Sequence, residues 1–183
     1  MATAAASGDG AANAVTFITG TTDTRMIWPS GSMTSTFTIC SVTRYNGGTR
    51  NRILGCKGSP LTANWIHGHH GGNSGLAYYE GWKTAYATHG VRDDWLIMCG
   101  TNAGATAPGN FVLDQDEIGT ADGGDGSCRL NIGYANPSDW ALHSLLVWDY
   151  SLGTVPAPWR TRSCLSNLVA GSVDLSMVRL RDA

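Results

Sequence analysis

The feature that most constrains this chain is a two-residue alternation of apolar and polar side chains that keeps stopping at turn residues. Residues 35–45, STFTICSVTRY, put Phe37 and Ile39 on one face and Thr36, Thr38, Cys40 and Val42 on the other. Asn46-Gly47-Gly48 then ends the run with a hairpin-type signal towards a second strand at residues 51–56, NRILGC. Further short runs follow at 64–69 (NWIHGH), 76–81 (LAYYEG), 110–114 (NFVLD), 129–134 (RLNIGY) and 140–150 (WALHSLLVWDY), with a Gly-rich turn at 71–75. The run at 94–100, DWLIMCG, carries four consecutive apolar residues and reads as a strand buried on both faces. About eight or nine short strands at this spacing predict an all-β antiparallel sandwich. A helix is suggested only at 162–169, RSCLSNLV, where Pro156 and Pro158 suit a helix start. No internal repeat or linker divides the chain, so residues 15–183 read as one domain.

Composition supports the same class. Gly, Thr, Ser and Asn make up 68 of the 183 residues, whereas lysine occurs only at Lys57 and Lys83 beside ten arginines. Those four residue types supply turns and strand surfaces, while helical proteins lean on Glu and Lys. A formal net charge of -2 gives no electrostatic footprint for nucleic acid. No apolar stretch approaches the length of a membrane-spanning helix. The first 14 residues, MATAAASGDGAANA, have neither the basic flank nor the apolar core of a signal peptide and read as a flexible N-terminal arm. Five cysteines (Cys40, Cys56, Cys99, Cys128 and Cys164) lie far apart with no C-x-x-C spacing, which excludes a zinc ribbon or a redox motif. Cys40 and Cys99 fall within apolar runs, where free buried thiols are expected, with one or two disulfides as the alternative.

The order of these runs resembles the concanavalin A-like lectin/glucanase superfamily, in its laminin-G-like jelly-roll branch. FTICSVTRY is followed by DDWLIMCGTN, then FVLDQDEIG, then Leu130-Asn131-Ile132-Gly133, then a long strand ending Val147-Trp148-Asp149-Tyr150-Ser151-Leu152. The likeness spans roughly residues 34–168. Asp114-Gln115-Asp116 stands where that family more often has Asp-Gly at a hairpin tip. The resemblance implies a concanavalin A-like jelly roll with at most one or two short helices, used for recognition of glycan or protein. Fold alone does not fix function, so the sites are argued from their residues.

Residues 64–82, NWIHGHHGGNSGLAYYEGW, hold three of the five histidines together with Trp65, Asn73, Tyr78, Tyr79 and Trp82. Sugars stack their C–H faces on aromatic rings and present hydroxyls to fixed donors and acceptors. His69, His70, Asn73 and Tyr79 are therefore candidate glycan contacts, with the histidines and Asn73 expected to be exposed near the Gly-Gly turn. The competing reading makes Trp65, Tyr78 and Trp82 core residues and His67 a satisfied polar group between sheets. His67 and His69 share one strand face, which suits a transition metal only if a third ligand approaches. Arg44 and Tyr45, at the end of the first strand, form a second candidate contact for glycan or a protein partner, against the plainer reading of a solvated turn. The loop at 114–125, DQDEIGTADGGD, offers Asp114, Asp116, Asp122 and Asp125 as candidate calcium ligands, though the EF-hand spacing fails. The paired carboxylates that glucanases carry on one strand are missing, as are a nucleophile elbow and a phosphate-binding loop, so catalysis is not expected.

The sequence thus predicts a non-catalytic recognition module, carbohydrate-binding or adhesive, with calcium as a possible cofactor. Neither nucleic acid nor membrane insertion is expected, and the location is extracellular or on a cell or particle surface. The alternative is a structural subunit whose sandwich packs against copies or partners in a larger assembly.

Overall fold

A computed structural model describes residues 2–57, 64–84, 90–102, 111–113, 116–119, 124, 126–151 and 179–180. Among these the chain is all-β, in two antiparallel sheets with no helix. The larger sheet has the order β1 (Ala2–Gly8), β2 (Ala11–Gly20), β12 (Trp140–Trp148), β4 (Thr38–Tyr45), β8 (Leu96–Thr101), β9 (Phe111–Leu113), β10 (Asp116–Gly119). A short β13 (Arg179–Leu180) joins β12 in parallel. The smaller sheet runs β3 (Met26–Ile27), β11 (Arg129–Ile132), β5 (Leu54–Lys57), β6 (Trp65–His70), β7 (Asn73–Tyr79).

The two sheets share one core. Phe37, Ile39 and Tyr45 beside and on β4, Leu96 and Met98 on β8, and Trp140, Leu142, Leu145 and Val147 on β12 pack in a single cluster with residues of the smaller sheet. These partners are Leu54 and Cys56, Trp65, Ala77 and Tyr79, Leu130 and Ile132. On β12 the inward set skips from Leu142 to Leu145, which strict alternation does not allow. The register slips between Leu142 and Ser144, and this bulge returns the following apolar residues to the core. The other face of the larger sheet carries its own buried cluster of Val15, Phe17, Cys40, Val42, Trp95, Cys99, Ala141 and Trp148. Strands β4 and β8 are thus covered on both faces, as the apolar run at 94–100 predicts.

Several expectations are corrected. The expected N-terminal arm is a hairpin: β1 pairs with β2 through a Gly8-Asp9-Gly10 turn whose three residues all have positive φ, and β2 pairs with β12. The alanine-rich residues 2–14 give no apolar alternation, so β1 and the start of β2 are not visible in the pattern. Asn46-Gly47-Gly48 does not close a hairpin either, because β4 and β5 lie in different sheets and the link crosses between them. Cys40 and Cys99 are not free thiols but a disulfide between directly opposed residues of β4 and β8. A second disulfide joins Cys56 on β5 to Cys128, one residue before β11. The paired cysteines are 59 and 72 residues apart, so only the strand register brings them together. The helix expected at 162–169, and Cys164 within it, lie outside the described residues.

Candidate functional site

Five connections meet at one end of the molecule: β2–β3, β4–β5, β6–β7, β11–β12 and the segment leading into β8. Asp139 ties three of them. Its carboxylate accepts hydrogen bonds from the Thr22 amide at 3.3 Å and the Thr49 amide at 2.9 Å, and its carbonyl accepts one from the Asn46 amide. Ser138 receives the Asn51 amide and donates to the Thr49 carbonyl. The Gly72 amide donates to the Arg50 carbonyl, and Arg50 pairs with Asp93 just before β8. These bonds satisfy polar backbone that a loop cluster would otherwise strand, and they hold the pole in one geometry.

The structure gathers five of the six candidate contact residues near this pole, but not in the way the sequence suggests. Tyr45 is buried, and its hydroxyl lies 3.0 Å from the Asn51 carbonyl and 3.2 Å from that of Asn73, so it props two loops from below. Arg44 turns to the far face of the larger sheet. There it pairs with Asp9 at 3.1 Å and covers the rings of Phe17 and Trp95. His69 is fully buried rather than exposed beside its Gly-Gly turn. The expectation fails because β6 keeps its alternation to the end, which leaves His69 on the inner face with His67; the extra residue of the register shift is Gly75 on β7, with φ of +80°. Tyr79 belongs to the opposite end of β7, where its ring stacks on Trp65 in the core. A ligand on the outer surface therefore reaches none of Tyr45, His69 or Tyr79.

Exposed or half-exposed at the pole are His70, Asn73 and Asn136. The Asn136 amide nitrogen lies 3.4 Å from His70 Nδ1, and the Asn73 amide donates to the Gly71 carbonyl. Beneath them Arg52 is 8% exposed, with its amide bonded to the Asn136 carbonyl and its guanidinium to Asn64 Oδ1 at 3.1 Å. Arg52 passes close to Gly55: a Cβ there would stand 3.0 Å from Arg52 Cδ. Burial and this guanidinium together hold the His70 imidazole below its ordinary pKa, so His70 is a neutral donor and acceptor at pH 7. Asn136 escaped sequence reasoning. It sits in an Asn-Pro step with φ of 55°, a turn signal that marks a loop but not its neighbours.

Away from the pole, Trp82 is 47% exposed and meets Tyr78 edge to face, with ring centroids 5.1 Å apart. The expectation of a core position therefore fails for Trp82 and holds for Trp65. Of the candidate calcium ligands, Asp116 opens strand β10 rather than lying in a loop, while Asp114, Asp122 and Asp125 lie outside the described residues. Among the described residues no three His, Cys, Asp or Glu side chains gather to hold a metal. No family model matches the chain, and neither a curated protein nor a solved structure matches it.

Proposed function

We propose that this chain is a non-catalytic recognition domain of the concanavalin A-like jelly-roll kind, and that it binds carbohydrate at the loop pole. The observation that carries the reading is the group of His70, Asn73 and Asn136 on a pole pinned by Asp139, Ser138 and Tyr45. Neutral imidazole and amides match sugar hydroxyls, which need both donors and acceptors, and prior ordering lowers the entropy lost on binding. Two disulfides fit an oxidising location outside a cell or on a particle surface. Calcium is tested in the same experiment, through the acidic segment at 114–125.

A glycan array read with calcium and with chelator tests this directly. The expected outcome is binding to a defined glycan that falls at least tenfold in His70→Ala and in Asn136→Gly, which keeps the positive φ of residue 136 without strain. Absence of any glycan signal, together with concentration-dependent association in ultracentrifugation, would instead support an assembly subunit.

A further inference from the structure

Two histidines at the centre of the molecule play no part in contacting a surface ligand. His67 and His69 stand on the inner face of β6 and reach across to the other sheet. The His67 Nε2–H donates to the Met98 carbonyl on β8 at 3.2 Å, and the Tyr79 hydroxyl donates to Nδ1 at 2.8 Å. This arrangement fixes the neutral tautomer, because a carbonyl only accepts. His69 Nδ1 meets the Thr43 hydroxyl on β4 at 3.3 Å, while its Nε2 is buried with no hydrogen-bond partner. The doubly protonated His69 would carry its charge with an N–H donor left at that unpartnered position.

Among the described residues neither ring is hydrogen-bonded to a carboxylate that would receive the resulting charge. The polar and charged groups among them that meet the two rings are Thr43 and Tyr45 from β4, Tyr79 from β7, the Met98 carbonyl from β8, and the charge of Arg92 ahead of β8. None is a carboxylate, and Arg92 has the wrong sign. Ser41 Oγ, on the same face of β4 as Thr43, is likewise buried without a partner. Among the described residues the β6–β7 hairpin is also weakly joined to its own sheet: β7 ends the strand order, and β6 meets β5 through one registered pair, Leu54 and His67. Neither disulfide includes the hairpin, and neither crosses between the sheets.

We infer that His67 and His69 form an acid-released clasp, whose neutral rings hold the β6–β7 hairpin against the larger sheet and whose protonation lets that hairpin swing away. The inference does not depend on what the loop pole binds. Burial pushes His67 down to about 4, and burial with the charges of His67 and Arg92 pushes His69 down to about 3. Both lie below the ordinary value of 6.5, so closure is favoured in full above pH 6.5 and weakens as pH falls towards 4. Between pH 7 and pH 5, each histidine freed on opening raises the open population roughly twentyfold.

Hydrogen exchange of the intact chain at pH 7 and pH 5, corrected for intrinsic rates, reads this opening. Protection of residues 65–79 is expected to drop by at least tenfold while that of β12 holds; His69→Gln should shrink the drop by the share of one histidine, and His67→Gln with His69→Gln should abolish it. Equal loss over β12, no loss over residues 65–79, or an unchanged loss in His69→Gln would overturn the clasp. Should His69→Gln fail to fold, imidazole nitrogen shifts in the wild-type protein decide the matter. The clasp requires both buried rings to stay neutral at pH 5, and ordinary titration near 6.5 would sink it.

Discussion

At the scale of single residues, the molecule depends on side chains that hold backbone rather than ligand. Tyr45 shows this: its ring packs against His69 at 4.7 Å while its hydroxyl serves the carbonyls of Asn51 and Asn73. Tyr45→Phe leaves both carbonyls without that donor, and a loss of about 1–2 kcal/mol is expected in denaturant unfolding, with the core cavity unchanged. Gly133 is a second such position. Its φ is +77°, and a Cβ would stand 2.3 Å from the Thr24 carbonyl, so Gly133→Ala should lose more than about 1 kcal/mol by the same measurement. Neither dependence is legible in the sequence. Alternation marks Tyr45 as a strand end, but not which carbonyls lie above it, because those belong to loops 6 and 28 residues away. The burial of His69 is hidden for a similar reason: a glycine turn beside a histidine suggests solvent, and only the partner sheet covers it.

At the scale of elements, pattern and structure agree where one face of a strand is buried or where both are. Strands β4, β8, β11 and β12 fall within a few residues of the runs that predict them. The agreement ends at pairing, since periodicity reports burial and says nothing about the neighbour across the ladder. Asn46-Gly47-Gly48 looks like a hairpin turn by its residues, yet the chain uses it to change sheets. The cysteines follow the same logic, because Cys40 faces Cys99 only once β4 and β8 are in register. Each disulfide closes a long loop within one sheet, so reduction should cost about 2–4 kcal/mol per bond. Calorimetry with and without reductant checks this, with a lower Tm expected at every pH. The extra pH dependence that the buried histidines introduce should persist in the reduced protein, since the disulfides hold strands within sheets and not the sheets to each other.

At the scale of the whole molecule, the chain crosses repeatedly between two layers, and its crossings collect at the loop pole. Asp139 is the common anchor there, holding amides of two other connections with one carboxylate. Asp139→Ala removes two charge-assisted bonds and should lower stability by about 2–4 kcal/mol in chemical denaturation. If the pole is the binding surface, the same variant loses affinity even where it remains folded, through disorder of the loops that carry Asn136 and His70.

The position of β12 also bears on how such a chain is made. Strand β12 lies between β2 and β4, and its contact with β2 joins residues 121 apart at Thr19 and Trp140. The β1–β2 hairpin must therefore wait for a strand made 121 residues later. At ordinary rates of synthesis that interval is on the order of 5–25 s. Until then β2 and β4 each keep an open edge, the condition in which strands pair wrongly. Folding dominated by such distant pairings is slow. Truncation before residue 140 should accordingly yield aggregate rather than a smaller folded domain, because the larger sheet has no centre until β12 arrives.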